Sequence, residues 1–503
     1  SLGFLWKYSL QFNVFALLIA LIGAYSLSDK TSNKEIINAK AYKIIFWTSI
    51  ALIIILRIIP YIGNSVPLGY DPGIYKYGME HGLNNLDNWL VSGGGIEPGF
   101  LYMISFLHSI FSSEFLLVYG LIFFSCILAL SLYLVVKEYF DKNTALIALV
   151  LFTLSAIQFK TFWYMYYKNI IGMSLMLLAF YFLKKSESKK SQIWAFIATG
   201  AVLASIHRPS FYMFGLSYFI WSFISPINKG YKVSKLTNNV LTGIILIVLA
   251  VLPYLGKFSK AITVMFEPVL EGFVQPGEAA GTFINFFTFQ FSILPYLVLA
   301  LLGLFLLVKK KDFNILVIWG IINFAIVYFQ FFFFNRFIIF LDLVFIVLAS
   351  VGIKQILNQG SKIGKAMLII LVLSAGILAV QESIKSQPLI SEQELNQIKQ
   401  FSTTEPEAYA MSTSSHYSPW VLGYSERKTI APGLFDYDNS SLESWQSFWN
   451  ANSTLDAAEF LQVYPHPLYI YVGPKQKDNI ANLTGCFSAF SESEGGVIYR
   501  YNC

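Results

Sequence analysis

The chain has 503 residues, 56% of them hydrophobic and only 13% charged, with a net charge of +6. A soluble chain of this length carries roughly 25% charged residues, so a soluble enzyme is excluded. A nucleic-acid-binding surface is excluded too, because the lysines sit in short loops between apolar runs. The chain begins at Ser1 and its first methionine is Met79, so its native start is expected to lie upstream.

Apolar runs long enough to cross a bilayer predict about twelve spans. They lie near 9–27, 43–62, 114–136, 144–160, 163–183, 192–206, 210–225, 239–256, 286–308, 313–331, 336–353 and 366–382. The run 99–111 is apolar but too short to cross, and is expected to be re-entrant or interfacial. The loops holding Lys30, Lys34 and Lys40, Lys184 to Lys190, Lys229 to Lys235, Lys309 to Lys311, and Lys354 to Lys365 alternate correctly with the spans. They are expected on the cytoplasmic side. The acid-rich loops 63–98 and 257–285 then face outward, as does everything after about residue 383.

The first outer loop opens with VPLGYDPGIYKYGMEHGL, residues 66 to 83. Asp71 before Pro72 reads as an N-cap followed by proline at the first helical position. Its plainest role is to start a short interfacial helix. A carboxylate held by helix N–H groups is also oriented to accept a proton. Tyr75 and Tyr77 are interfacial aromatics on the simplest view. With Glu80 and His81 on the same short helix, they are also assigned to substrate binding. The loop closes on VSGGGIEPGFLYMISF, where Glu97-Pro98 starts a second short helix and brings a second candidate catalytic carboxylate.

Four basic groups outside the lysine loops stand out. Lys168 is about one turn into the span after an outer turn. His207 and Arg208 lie in IHRPSFY between two spans that end outside, and Arg336 lies at the outer end of FNRFIIFLDLVF. Each alone is accounted for by snorkelling. Three helices bringing Arg or Lys to one level predict an anion site beside the carboxylates of loop 63–98. Asp342, further along the Arg336 helix, is expected to pair with a cation. Loop 257–285, with Gly272, Pro276, Gly277 and Gly281, is expected to close over a bound lipid donor.

The tail changes character. AYAMST, KTIAPG, LYIYVGP, FSAFSE and GVIYRY read as strands, and SLESWQSFWNA and TLDAAEFLQVY as helices. The prediction is a polytopic α-helical membrane domain over 1–382 and a small α/β extracytoplasmic domain over 383–503. Asn439, Asn452 and Asn482 stand in sequons. Cys486 and Cys503 bracket the hairpin FSAFSESEGGVIYRY and are expected to form a disulfide.

An anion site at membrane level beside a carboxylate suggests a lipid phosphate carrying a group to be transferred. Phosphate leaves well, so a base for the acceptor hydroxyl and cations for the leaving phosphate suffice. The pattern resembles the GT-C superfamily of polytopic glycosyltransferases with lipid-linked sugar donors. GYDPGIYKY resembles that family's first-loop acidic motif, which implies that Asp71 is the catalytic base. EPGFLY resembles the segment where protein O-mannosyltransferases and the lipid A aminoarabinose transferase carry Pro-Pro-Leu. Here Glu97 replaces a basic residue and Gly99 the second proline. HRPSFY resembles a later Lys-containing helix end, which gives Arg208 or His207 a phosphate role. NRFIIFLDLVFIVLA resembles the Arg-Tyr segment before a late span, with Phe337 for the Tyr. Oligosaccharyltransferases share the layout but carry Trp-Trp-Asp-Tyr-Gly in the outer domain. SPWVLGYSERKT keeps Trp420, Gly423 and Tyr424 without a matching Asp, so transfer to asparagine is disfavoured.

The resemblance implies transfer, with inversion, from a polyprenyl- or dolichyl-phosphate sugar to a glycan, lipid or protein acceptor. It places the chain in a membrane, expected to be a prokaryotic plasma membrane. No cofactor is expected to be required, and a divalent cation on Asp71 and Glu97 is left open. The rival class is a transporter or flippase, which predicts paired broken helices and ionisable groups near the bilayer midplane.

Overall fold

The computed structural model describes residues 16–20, 37–82, 96–228, 233–255, 284–331, 334–359, 362–412, 414, 416–430, 448, 454–475 and 485–503. The helices run in chain order. They are α1 (Ala39–Ile58), α2 (Pro72–His81), α3 (Pro98–His108), α4 (Leu121–Tyr139), α5 (Lys142–Leu154), α6 (Ala156–Trp163), α7 (Tyr167–Ser186), α8 (Gln192–Ile206), α9 (Arg208–Asn228), α10 (Val233–Val251), α11 (Phe286–Lys309), α12 (Ile315–Tyr328), α13 (Phe334–Asn358), α14 (Lys362–Lys385) and α15 (Glu392–Lys399). Then come β1 (Tyr409–Ser412), α16 (Ser418–Tyr424), β2 (Lys428–Ile430), α17 (Thr454–Leu461), β3 (Leu468–Val472), β4 (Phe487–Ser493) and β5 (Gly496–Tyr501).

Among the described residues, six helices are long and apolar enough to cross a membrane, or seven if α5 and α6, bent by 54° at their break, count as one span. The shorter apolar helices α8 and α12 add to the bundle. The chain is a multi-pass membrane protein. Eleven of the twelve predicted spans fall on helices; most of the first, 9–27, lies outside the described residues. Short polar side chains at the helix starts satisfy backbone N–H groups that hydrocarbon cannot. Asn38 accepts from Ala41 N at 2.8 Å, Asn285 from Thr288 N at 2.8 Å, and Asp141 from Asn143 N at 2.9 Å.

The residues fall into two compact units. The first, residues 1–60, 122–162 and 166–386, holds the bundle, with α13 buried along nearly its whole length. Gly303 of α11 meets the α13 backbone there, where a Cβ would stand 1.9 Å from Leu348 O. The second unit joins 61–121 and 163–165 to 387–503. The first outer loop thus groups with the tail, across the boundary the sequence suggested at 382.

The tail carries a five-stranded sheet in the order β2-β1-β3-β5-β4. β1 runs parallel to β2 and β3, while β5 runs antiparallel to β3 and β4. All five strands were legible as alternating or apolar runs between turn residues. The α16 helix was not predicted. The sequons, the helix expected at 441–451 except Phe448, and the predicted lid except residues 284 and 285 lie outside the described residues.

Cys486 and Cys503 are bonded, with Cα atoms 5.2 Å apart across the β4–β5 hairpin. A bridge closing a loop of this length stabilises by roughly 2–4 kcal/mol. The purified chain is expected to gain two protons in intact-mass measurement on reduction. Alkylation of both thiols before reduction would refute the bridge and undercut the outward orientation of the tail.

Candidate active site

In the second unit, α2 starts with Pro72 directly after Asp71. The backbone sets this start: Tyr75 N donates to Asp71 O at 3.0 Å. The carboxylate does not act as the expected cap and makes no bond to the helix N–H groups. With φ −89° and ψ 4°, the residue departs from the extended backbone that typical capping side chains require. Asp71 Oδ2 instead lies 3.5 Å from the Tyr75 hydroxyl one turn on. Burial pushes the neighbouring Tyr70 phenol up, and the Asp71 charge adds to this.

Of the other residues assigned to α2, Tyr75 is buried with its ring edge against Phe100, at 5.5 Å between centroids. Tyr77 stacks on His81 at 4.6 Å, and His81 is exposed. Glu80 is engaged locally. It pairs with Lys76 and accepts from Ser113 Oγ at 2.8 Å. Glu97 starts α3, is 3% exposed, and makes no capping bond. The α3 helix packs beneath α2, with Ser105 Oγ donating to Gly78 O at 3.2 Å.

The α2 helix is held from its other side by α16, the segment SPWVLGY. A Cβ at Gly73 would stand 1.7 Å from Pro419 O, and one at Gly423 would stand 2.4 Å from Gly73 Cα. Two glycines therefore let two helices cross backbone to backbone, two residues from Asp71. Lys76 lies over the Tyr424 ring at 5.3 Å. Burial first, then the Glu114 and Glu80 charges, push the Tyr424 phenol up. Sequence reasoning missed this crossing. Its only signal was a glycine on each of two short segments far apart in the chain.

In the first unit, the predicted cations stand at helix starts. Lys168 is the second residue of α7, Arg208 the first of α9, and Arg336 the third of α13. Lys168 and Arg208 are half-buried and Arg336 is exposed. Cations there oppose the helix dipole, but with the N–H groups of a first turn they make an anion-attracting end. His207 is the extended residue between α8 and α9 and is 4% exposed. Its Nδ1 lies 2.7 Å from Ser210 Oγ and accepts from Ser210 N at 3.3 Å. Nδ1 thus faces the first turn of α9.

Asp342 corrects the expectation of an ion pair. It is fully buried and accepts from Ser155 Oγ at 2.7 Å, Gln158 Nε2 at 2.9 Å and the Tyr296 hydroxyl. All three donors are neutral, and two belong to the α5–α6 break. Gln158 O in turn accepts from the buried Arg57 at 3.3 Å. The group binds the α5–α6 bend to α11 and α13.

Comparison with solved structures finds this architecture in the Archaeoglobus fulgidus oligosaccharyltransferase. Its apo form matches with a TM-score of 0.67 and 14% identity, over 87% of this chain and 70% of that one. The same enzyme with Zn and sulfate matches with a TM-score of 0.64 and 15% identity, over 91% and 73%. Its complex with an inhibitory peptide and a dolichol-phosphate matches with a TM-score of 0.62 and 14% identity, over 86% and 69%. The chain has a GT-C fold. In sequence, the family model for dolichyl-phosphate-mannose-protein mannosyltransferase matches residues 97–255. That stretch starts at Glu97 and takes in Lys168, His207 and Arg208. No curated protein matches in sequence.

Asp71 and Glu97 are the carboxylates on which the sequence leaves a divalent cation open. Among the described residues, no three His, Cys, Asp or Glu side chains converge as a metal site. A divalent cation is possible and not required, and no step is routed through one.

Proposed function

We propose that the chain is a glycosyltransferase that moves a sugar from a polyprenyl- or dolichyl-phosphate donor to an acceptor hydroxyl at the outer membrane face. The reading is carried by the family match over 97–255, joined to a GT-C fold that spans most of the chain. The acceptor oxygen attacks the anomeric carbon, and the bond from that carbon to the phosphate oxygen breaks. The acceptor proton passes to Asp71, and the lipid leaves as its phosphate. One displacement inverts the anomeric centre. Arg336, Arg208 and Lys168 hold the phosphate and stabilise its growing charge, with His207 beside them. Glu97, Tyr75, Tyr77, Glu80 and His81 are assigned to the sugar and the acceptor, which is a glycan, lipid or protein. The membrane is a prokaryotic plasma membrane, with the site and the tail outside.

The test is release of polyprenyl phosphate from a labelled lipid-phosphate sugar by the purified protein, with and without Arg336→Lys. Arg makes a planar two-pronged contact that Lys cannot. The substitution is expected to weaken donor use by about tenfold or more, the scale of a lost charge-assisted bond. Unchanged donor affinity and turnover would reduce Arg336 to a snorkelling side chain.

One observation favours a transporter: the α5–α6 break beside the buried Asp342. Transporters of the inverted-repeat kind carry such breaks in pairs. Among the described residues only one such bent pair occurs, and Asp342 is taken up by three internal donors. Movement of intact lipid-linked sugar across a vesicle membrane, with no release of lipid phosphate, would decide for the transporter.

A further inference from the structure

Away from every residue assigned above, the first unit carries a long apolar groove between α1 and α14, floored by α5. Two cavities of about 390 and 720 Å³ follow one another along it and share Ile45, Val150, Val372 and Leu373 as walls. One end is at Ile37 and Lys365, and the other is at Leu56 and Gln381. From Ile37 to Leu56 is about 28 Å at roughly 1.5 Å per residue, close to the ~30 Å thickness of a bilayer core. The hydroxyls of Ser49 and Thr153 partway along are satisfied within their own helices, by Ile45 O and Leu149 O at 2.8 Å each. These two hydroxyls therefore place no unmet donor on a wall that is otherwise mostly aliphatic.

Its two ends differ in charge. The helices on either side start with lysines: Lys40 and Lys43 on α1, and Lys362 and Lys365 on α14. All four are exposed, and none has an acidic partner among the described residues. The nearby Asp141 does not neutralise them, because it pairs with Lys354 at 2.6 Å and caps α5. The other end holds an acid: Glu382 takes Lys160 at 2.5 Å, Arg57 is buried against backbone carbonyls, and Lys385 is exposed.

We propose that the groove is a binding site for one anionic phospholipid, with acyl chains between α1 and α14 and the phosphate among Lys40, Lys43, Lys362 and Lys365. The lysine rule puts that end in the cytoplasmic leaflet. Any acyl chain fits the apolar wall, so selection falls to the headgroup. Clustered lysines beside membrane helices attract anionic lipids by charge, and the groove confines such a lipid to one place. The site is independent of the transferase reading, and its ligand is neither donor nor acceptor.

Gly376 supplies a test that spares the fold. A Cβ there meets nothing nearer than Leu154 Cδ2 at 4.0 Å, so Gly376→Leu fills the groove without displacing backbone. The protein is purified into micelles holding equal phosphatidylglycerol and phosphatidylcholine, and bound lipid is read by native mass spectrometry. The wild type is expected to retain phosphatidylglycerol over phosphatidylcholine by about tenfold or more, within what four lysines at a surface can supply. Replacing the four lysines by glutamine should remove the preference and leave total lipid bound. Gly376→Leu should lower total bound lipid at an unchanged melting temperature. Equal retention of the two lipids by the wild type would overturn the proposal. So would a preference that survives both variants, or a stable dimer that Gly376→Leu dissociates, which would make the occupant a second copy of the chain.

Discussion

Asp71→Asn is expected to leave folding and donor binding intact and to lower turnover by about 10²-fold or more, the usual range for a lost acid–base group. The exchange keeps shape and removes only the charge that accepts a proton. Stability should change little, because the carboxylate makes no capping bond to α2; loss of a true cap would cost about 1 kcal/mol. The Tyr75 hydroxyl, 3.5 Å from Oδ2, has an equivalent oxygen to face in the amide. Turnover at saturating donor, beside a donor titration and a melting curve, separates the roles. Near-normal turnover would remove Asp71 from the chemistry. Loss of folding with loss of turnover would return it to a structural part. Glu97→Gln runs beside it: Glu97 is 3% exposed, so its removal tests whether a buried second carboxylate shares the work.

What was legible in the sequence follows from what is local. A membrane helix satisfies its own backbone groups and announces itself by an apolar run, so α1, α4, α11, α13 and α14 could be read one at a time. The strands showed in the same way. The starts of α2 and α3 were marked by Asp-Pro and Glu-Pro, and the cations of α7, α9 and α13 by their rarity in apolar surroundings. Capping was inferred for Asp71 from residue type, yet it turns on a ψ that the sequence does not carry. The ion pair expected for Asp342 failed because its partners come from a broken helix and from Tyr296, residues distant in sequence and neutral. The Gly73–Gly423 crossing was hidden for the same reason. It joins the first outer loop to a seven-residue helix some 350 positions later, and no local pattern marks such a meeting.

That crossing carries the second large effect. Gly73→Ala is expected to loosen the second unit and to lower turnover with it, although alanine is the better helix residue. The added Cβ would stand 1.7 Å from Pro419 O and 2.5 Å from Pro419 C, which are backbone atoms and cannot rotate away. The helices must part, and overpacking of this kind costs about 1–3 kcal/mol. Asp71 lies two residues before Gly73, so it moves with the start of α2. A shift of about 1 Å in a catalytic group can cost about 10²-fold in rate. Gly78→Ala on the same helix is the matched control. Its Cβ would meet only side-chain methyls, the nearest being Leu101 Cδ1 at 3.3 Å, and these can give way. Melting temperature and turnover are therefore expected to fall together in Gly73→Ala and to stay near wild type in Gly78→Ala. Gly423→Ala should repeat the first result from the other side of the contact, since its Cβ meets Gly73 backbone at 2.4 Å. Wild-type melting and turnover in both Gly73→Ala and Gly423→Ala would mean that α16 does not press on α2, and that the first outer loop is held in place by some other contact.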